Sequence, residues 1–131
     1  MGFPKTSCTS VNEVACHGIP DSRPLEEGDI VNIDVTAWLD GAFGDNSDMA
    51  CAGEVDPMIA RLLATTHESL QAGIDAAKPG KPVSDIGKAC DSVAKKNGFA
   101  ICHEFCGHGI GHAMHVAPPV IHVPNDIAFI L

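Results

Sequence analysis

The dipeptide Asp40-Gly41 constrains this chain more than any other pair of neighbours. Asp followed by Gly tolerates the backbone of a two-residue hairpin turn, and here it separates an arm from Ile30 to Leu39 from a run into Met49. A two-residue turn sets Thr36 opposite Asp45, so Asp45 becomes the diagonal neighbour of Asp34 on one face of the hairpin. Two carboxylates then crowd together. Their repulsion is relieved when one takes up a proton or when cations neutralise both, and a pair of hard divalent ions is the usual solution. A solvated polar face is the plainer reading of the same residues.

The 131 residues are 45% apolar and 19% charged, an ordinary globular composition that suits one domain with one core. A formal net charge of -9, with eight Lys and Arg spread along the chain, argues against a nucleic-acid surface. No apolar run approaches the roughly 20 residues that span a bilayer. The opening Met1-Gly2-Phe3-Pro4-Lys5 lacks the regions of a signal peptide. A soluble compartment is expected, without nucleic acid or membrane as partner. Six cysteines (Cys8, Cys16, Cys51, Cys90, Cys102, Cys106) show irregular spacing and no Cys-x-x-Cys pair, so reduced thiols are the default. A zinc set of Cys102, His103, Cys106 and His108 competes with the alternating run Phe99 to His103, which reads as a strand, and structural zinc sites usually pair their ligands at two-residue spacing.

Along the chain, Cys8 to Pro20 reads as a strand and loop, and the acidic, proline-containing stretch Asp21 to Gly28 as a surface connection into the hairpin, which ends near Gly53. Asp56 caps a helix that starts at Pro57. Its apolar positions Met58, Leu62, Thr66, Leu70, Ile74 and Ala77 recur at helical spacing until Lys78-Pro79-Gly80. A second helix begins after Ser84, buries Ile86, Cys90, Val93 and Ala94, and stops at Asn97-Gly98. A strand from Phe99 to Glu104 follows, and Phe105 to Asn125 is an irregular loop rich in Gly, His and Pro. The expected class is α+β, an antiparallel sheet covered on one side by two amphipathic helices.

Four stretches then resemble the type I methionine aminopeptidases: Phe3 to Glu13, Cys16-His17-Gly18-Ile19-Pro20, Gly28 to Thr36 with Gly44-Asp45, and Gly107-His108-Gly109-Ile110-Gly111 with His115 and Pro118. The likeness runs from about Phe3 to Asp126. It implies the pita-bread fold, two similar halves about an approximate twofold, and hydrolytic removal of the initiator methionine from nascent chains. It also implies two divalent ions (Co, Mn, Fe or Zn), with Asp34, Asp45 and His108 at three of the five ligand positions. Oxygen and imidazole donors suit all of these metals. Such ions activate water and polarise the first peptide carbonyl. His17 and His115 match histidines that contact substrate around the scissile amide, as donors to a developing oxyanion or to the amide nitrogen. Phe3 and Cys8 match the lining of the methionine side-chain pocket, where a soft sulfur suits a thioether. The remaining His67, His103, His112 and His122 read as structural or surface residues.

The sequence also departs from that pattern. Two glutamate ligands, one of them a proton shuttle, should follow the region matching Val120 to Asp126, whereas the sequence ends at Leu131 after a strand-like Ile127 to Ile130. The 131 residues are therefore expected to form a single partial catalytic domain, with unpaired edges, weak metal affinity and weak or absent turnover. Smaller departures are Asn46 in place of threonine, Met1 where a histidine is frequent, and an irregular Met49 to Cys51. Expected partners are the N-terminal methionine of nascent peptides and the ribosome. The expected compartment is the cytoplasm, or a mitochondrion or plastid if a transit peptide lies upstream. A non-catalytic peptide- or ribosome-binding module of the same fold, or a nonfunctional fragment, is the alternative.

Overall fold

A computed structural model describes residues 2–131. Met1, where the resemblance calls for a histidine, lies outside them. Contacts cluster into two compact units, Met1–Ala60 with Ile110–Met114, and Arg61–Gly109 with His115–Leu131.

The first unit is an antiparallel sheet in the order β1-β2-β3, from Cys8–Val11, Ile30–Leu39 and Ala42–Cys51. The turn between β2 and β3 is two residues long, with Asp40 at φ 50° and Gly41 at φ 87°, the left-handed pair that Asp-Gly accepts. Thr36 consequently stands opposite Asp45, as the turn length predicts. The expected irregularity at Met49 to Cys51 is absent: pairing continues through Asn32 with Met49 to Ile30 with Cys51. Asp29, at the foot of β2, gathers the connection before it. Its carboxylate accepts from Arg23 Nη1, Asn12 Nδ2 and the Glu26 amide, and these bonds, Arg23 foremost, hold it well below the usual carboxylate range.

The helix α1 (Pro57–Ala76), whose first four residues fall in the first unit and the rest in the second, opens as the sequence predicts, with the Met58 amide donating to Asp56 Oδ1 at 2.7 Å. Its buried face differs from expectation. Met58, Leu70 and Ile74 are 57%, 54% and 54% exposed, whereas Thr65, Ser69 and Gly73 are buried. The reason is close approach to α2 (Ser84–Lys96). Ser69 Oγ donates to Cys90 O, Cys90 Sγ donates to Ser69 O, and a Cβ on Gly73 would lie 2.9 Å from Cys90 Sγ. Small side chains admit that approach and a leucine stripe does not.

The helix α2 ends as predicted. Gly98 is left-handed at φ 78°, its amide donates to Lys95 O, and the Phe99 amide donates back to Ala94 O. That cap removes the predicted strand from Phe99 to Glu104. The Phe99 amide is committed to the helix, its ring lies under the Arg61 guanidinium, and the residues up to Phe105 join no ladder. The predicted loop beyond is instead a short antiparallel pair, β4 (Gly107–Gly109) with β5 (Val116–Val120). Ile127 to Leu131 returns beside the start of α2, where the Val83 amide donates to Phe129 O and the Leu131 amide to Lys81 O. Among the described residues no helix is long and apolar enough to cross a membrane.

Candidate metal centre

The β1–β2 register puts Cys8 directly opposite Asp34, and the hairpin register puts Asp45 one pair further along on the same face. Thr36 Oγ1 donates to Asp45 Oδ1 at 2.8 Å, which aims that carboxylate from across the hairpin. Asp34 feels the crowding. Partial burial raises its carboxyl above the ordinary range, the Asp45 charge and a hydrogen bond with Asp45 push the same way, and His17 opposes them. The same field reaches the Cys8 thiol, raised first by burial and then by Asp34 and Asp45.

His17 reaches this face through a tight loop. The Thr9 amide donates to Gly18 O and the Gly18 amide to Ser10 Oγ, each at 3.0 Å, which clips the loop to β1. A Cβ at Gly18 would sit 2.2 Å from Thr9 O, so only glycine fits there. His17 itself adopts φ 56° and its side chain is exposed. Phe3, the other residue expected to line a pocket, is 39% exposed. The structure thus brings Cys8, His17, Asp34 and Asp45 together within the first unit. Thr36 and Ser10 escaped the sequence reading as site residues. The signal for Thr36 was its place two residues beyond Asp34, on the same face of β2.

His108 and His115 belong to the second unit, with ring centroids 4.2 Å apart and tilted by 52°. His108 lies on β4 next to a shift in register, where a Cβ at Gly109 would meet Ala117 O at 2.6 Å. Its Nδ1 lies 3.0 Å from Gly109 O. Donation there leaves the lone pair on Nε2, the nitrogen that faces away from the backbone. The loop between the two histidines returns to the hairpin tip in the first unit: His112 Nδ1 lies 2.7 Å from Gly41 O, and the Phe43 amide donates to Gly111 O. His122 is half-buried, and burial lowers its pKa, as suits a packed histidine. Among the described residues no group of three or more His, Cys, Asp or Glu is arranged to hold an ion, the candidate set in the Cys102 to Cys106 loop included, and all six cysteines are reduced thiols. Glu104 is exposed and accepts from Cys102 Sγ.

The model of metallopeptidase family M24 matches residues 1–128. The chain belongs to metallopeptidase family M24. Two crowded carboxylates are hard oxygen donors of the kind that a divalent cation takes. The chain is 48% identical over 127 residues to methionine aminopeptidase 1D, chloroplastic/mitochondrial, of Arabidopsis thaliana, covering 97% of this chain and 36% of that protein. The crystal structure of methionine aminopeptidase from Rickettsia prowazekii superposes with a TM-score of 0.91 at 44% identity, over 95% of this chain and 50% of that one. The methionine aminopeptidase of Thermotoga maritima gives the same TM-score at 31% identity, over 95% of this chain and 51% of that one. The chain therefore spans about a third to a half of the length of these M24 relatives. The predicted α+β class, with antiparallel sheets and two helices of the pita-bread fold, stands.

Proposed function

We propose that this chain serves metal-dependent removal of N-terminal methionine from nascent peptides, as part of one catalytic domain. The observation that carries the reading is the like-charged pair Asp34 and Asp45, held on one face of a hairpin with Cys8 and His17 beside it. In this reading Asp34, Asp45 and His108 hold two divalent ions of the Co, Mn, Fe or Zn group. When bound, those ions supply Lewis-acid polarisation of the first peptide carbonyl and activation of water. His17 and His115 contact the scissile amide, one stabilising oxyanion charge and the other meeting the amide nitrogen. Phe3 and Cys8 line the space for the methionine side chain, where sulfur and an aromatic edge suit a thioether.

The residues present also set a limit. With two carboxylates and one imidazole against two dications, affinity is low, and no further carboxylate is assigned as proton shuttle. This chain alone therefore turns over slowly or not at all. Nascent chains place the reaction at or near the ribosome. The cytoplasm is the compartment we favour, with mitochondrion or plastid as the alternative that the names of the relatives support.

Calorimetric titration with cobalt or manganese, alongside hydrolysis of Met-Ala-Ser, tests the reading. Weak binding that disappears in Asp34→Asn and in Asp45→Asn is the expected outcome. Binding indifferent to both substitutions would remove the assigned ligands. Tight two-site binding with rapid turnover would overturn the limit.

A further inference from the structure

The carboxylates of the first unit differ in what meets them. Asp29 accepts from the Arg23 guanidinium, the Asn12 side-chain amide and the Glu26 backbone amide, so its charge is already answered within the fold. Asp45 receives a neutral donor: Thr36 Oγ1 donates to its Oδ1 at 2.8 Å. A hydroxyl orients a carboxylate without cancelling its charge, and one such bond takes one of about four acceptor positions on the two oxygens.

The register makes Thr36 the residue able to do this. Thr36 stands directly opposite Asp45 in the hairpin. Directly opposed side chains of an antiparallel pair have Cβ atoms about 4.5–5.5 Å apart, a span that a short hydroxyl and a carboxylate close between them. Branching at Cβ also makes threonine stiff at χ1, so the hydroxyl is a fixed anchor. Both partners belong to β2 and β3, joined by the two-residue turn, and the bond is therefore set by this hairpin rather than by segments elsewhere in the chain. An aspartate has several staggered rotamers open to it, and ordering it at the moment an ion arrives costs entropy. The bond from Thr36 orders Asp45 beforehand, in an arrangement where the same side chain also bonds Asp34.

We propose that Thr36 is a positioning residue of the metal centre: its hydroxyl holds Asp45 in the ligating orientation beside Asp34, without being a ligand itself. This role rests on the reading of Asp34 and Asp45 as ligands. A polar pair that only steadied the sheet would leave ion binding untouched when the hydroxyl is removed, because valine is at least as good a strand former as threonine.

The test compares the full chain with Thr36→Val, which keeps the branched shape and removes the hydroxyl, and with Thr36→Ser, which keeps the hydroxyl. Without metal, the Hα–Hβ couplings of Asp45 in NMR spectra report its rotamer. They are unequal in the wild type and in Thr36→Ser, and averaged to one value in Thr36→Val. Manganese titration, followed by paramagnetic broadening of the Asp34 and Asp45 signals, gives about tenfold weaker binding in Thr36→Val. That is the lower end of what loss of a ligand's hydrogen-bond partner does, as suits a bond open to water. Thr36→Ser stays within about twofold of the wild type. The urea midpoint of Thr36→Val is no lower than that of the wild type, which separates the lost affinity from lost folding. Unequal Asp45 couplings in Thr36→Val would overturn the proposal. So would equal weakening in Thr36→Ser and Thr36→Val, or averaged couplings with unchanged ion affinity. Manganese binding indifferent to Asp45→Asn would remove the ligand assignment and this role with it, while the coupling change in Thr36→Val would still establish the bond between the two side chains.

Discussion

Gly18→Ala isolates the contact that brings His17 to the carboxylate face. The added methyl would meet Thr9 O at 2.2 Å, Thr9 C at 2.8 Å and Ser10 Cα at 2.9 Å, all backbone atoms of β1. None can rotate aside, so the loop must lift. Lifting breaks the Thr9 amide bond to Gly18 O and the Gly18 amide bond to Ser10 Oγ. Two such bonds contribute roughly 0.5–1.5 kcal/mol each, and forcing a methyl into a packed contact costs roughly 1–3 kcal/mol. Partial relaxation of the loop places the net loss at about 2–4 kcal/mol, a large change for one methyl group. Urea unfolding followed by circular dichroism reads this as a fall in midpoint at unchanged slope. Gly44→Ala is the control, since a Cβ there meets nothing within 4 Å. A second readout concerns charge. Once His17 withdraws, Asp34 loses the interaction that lowers its pKa, so carboxyl NMR should show Asp34 titrating at higher pH than in the wild type. A Gly18→Ala midpoint equal to that of Gly44→Ala, with Asp34 unmoved, would refute the argument.

Asp29→Asn should flatten the acid side of the stability profile. The folded carboxyl lies below its ordinary value near 3.8, so its contribution is full above that value and is lost progressively as pH falls from there towards the depressed folded value. Urea midpoints at about pH 7 and pH 3 measure this, the wild type losing more between them than the variant. Gly73→Ala should cost about 1–2 kcal/mol through the Cys90 sulfur 2.9 Å from the new methyl, and about half as much in a Cys90→Ala background. A double-mutant cycle with no coupling would place the clash elsewhere. His112→Ala should free the loop between His108 and His115 from the hairpin tip, so that the Phe43 amide, bonded to Gly111 O, exchanges with deuterium at least about tenfold faster.

The elements that local chemistry controls are legible in the order of the amino acids. Asp-Gly dictates the turn and with it the Thr36–Asp45 register, Asp56-Pro57 the start of α1, and Asn97-Gly98 the end of α2, because each is a backbone preference expressed within a few residues. The grouping of Asp34 with Asp45 follows from that register together with the strand period. Cys8 and His17 are recognisable only through the resemblance, since their approach to Asp34 depends on a strand pairing and a glycine contact between distant segments.

Tertiary structure decided the rest. Hydropathy points α1 inward through Met58, Leu70 and Ile74, yet the buried side is Thr65, Ser69 and Gly73, because close helix approach rewards small side chains over apolar ones. Alternation marks Phe99 to Glu104 as a strand, but a strand exists only where another edge offers its amides and carbonyls, and the Phe99 amide is taken by the α2 cap. Gly107–Gly109 finds such an edge in Val116–Val120 despite its loop-like composition. Sequence alone thus determined the family and the local turns and caps, which are short-range. Burial and strand pairing were settled by residues far along the chain.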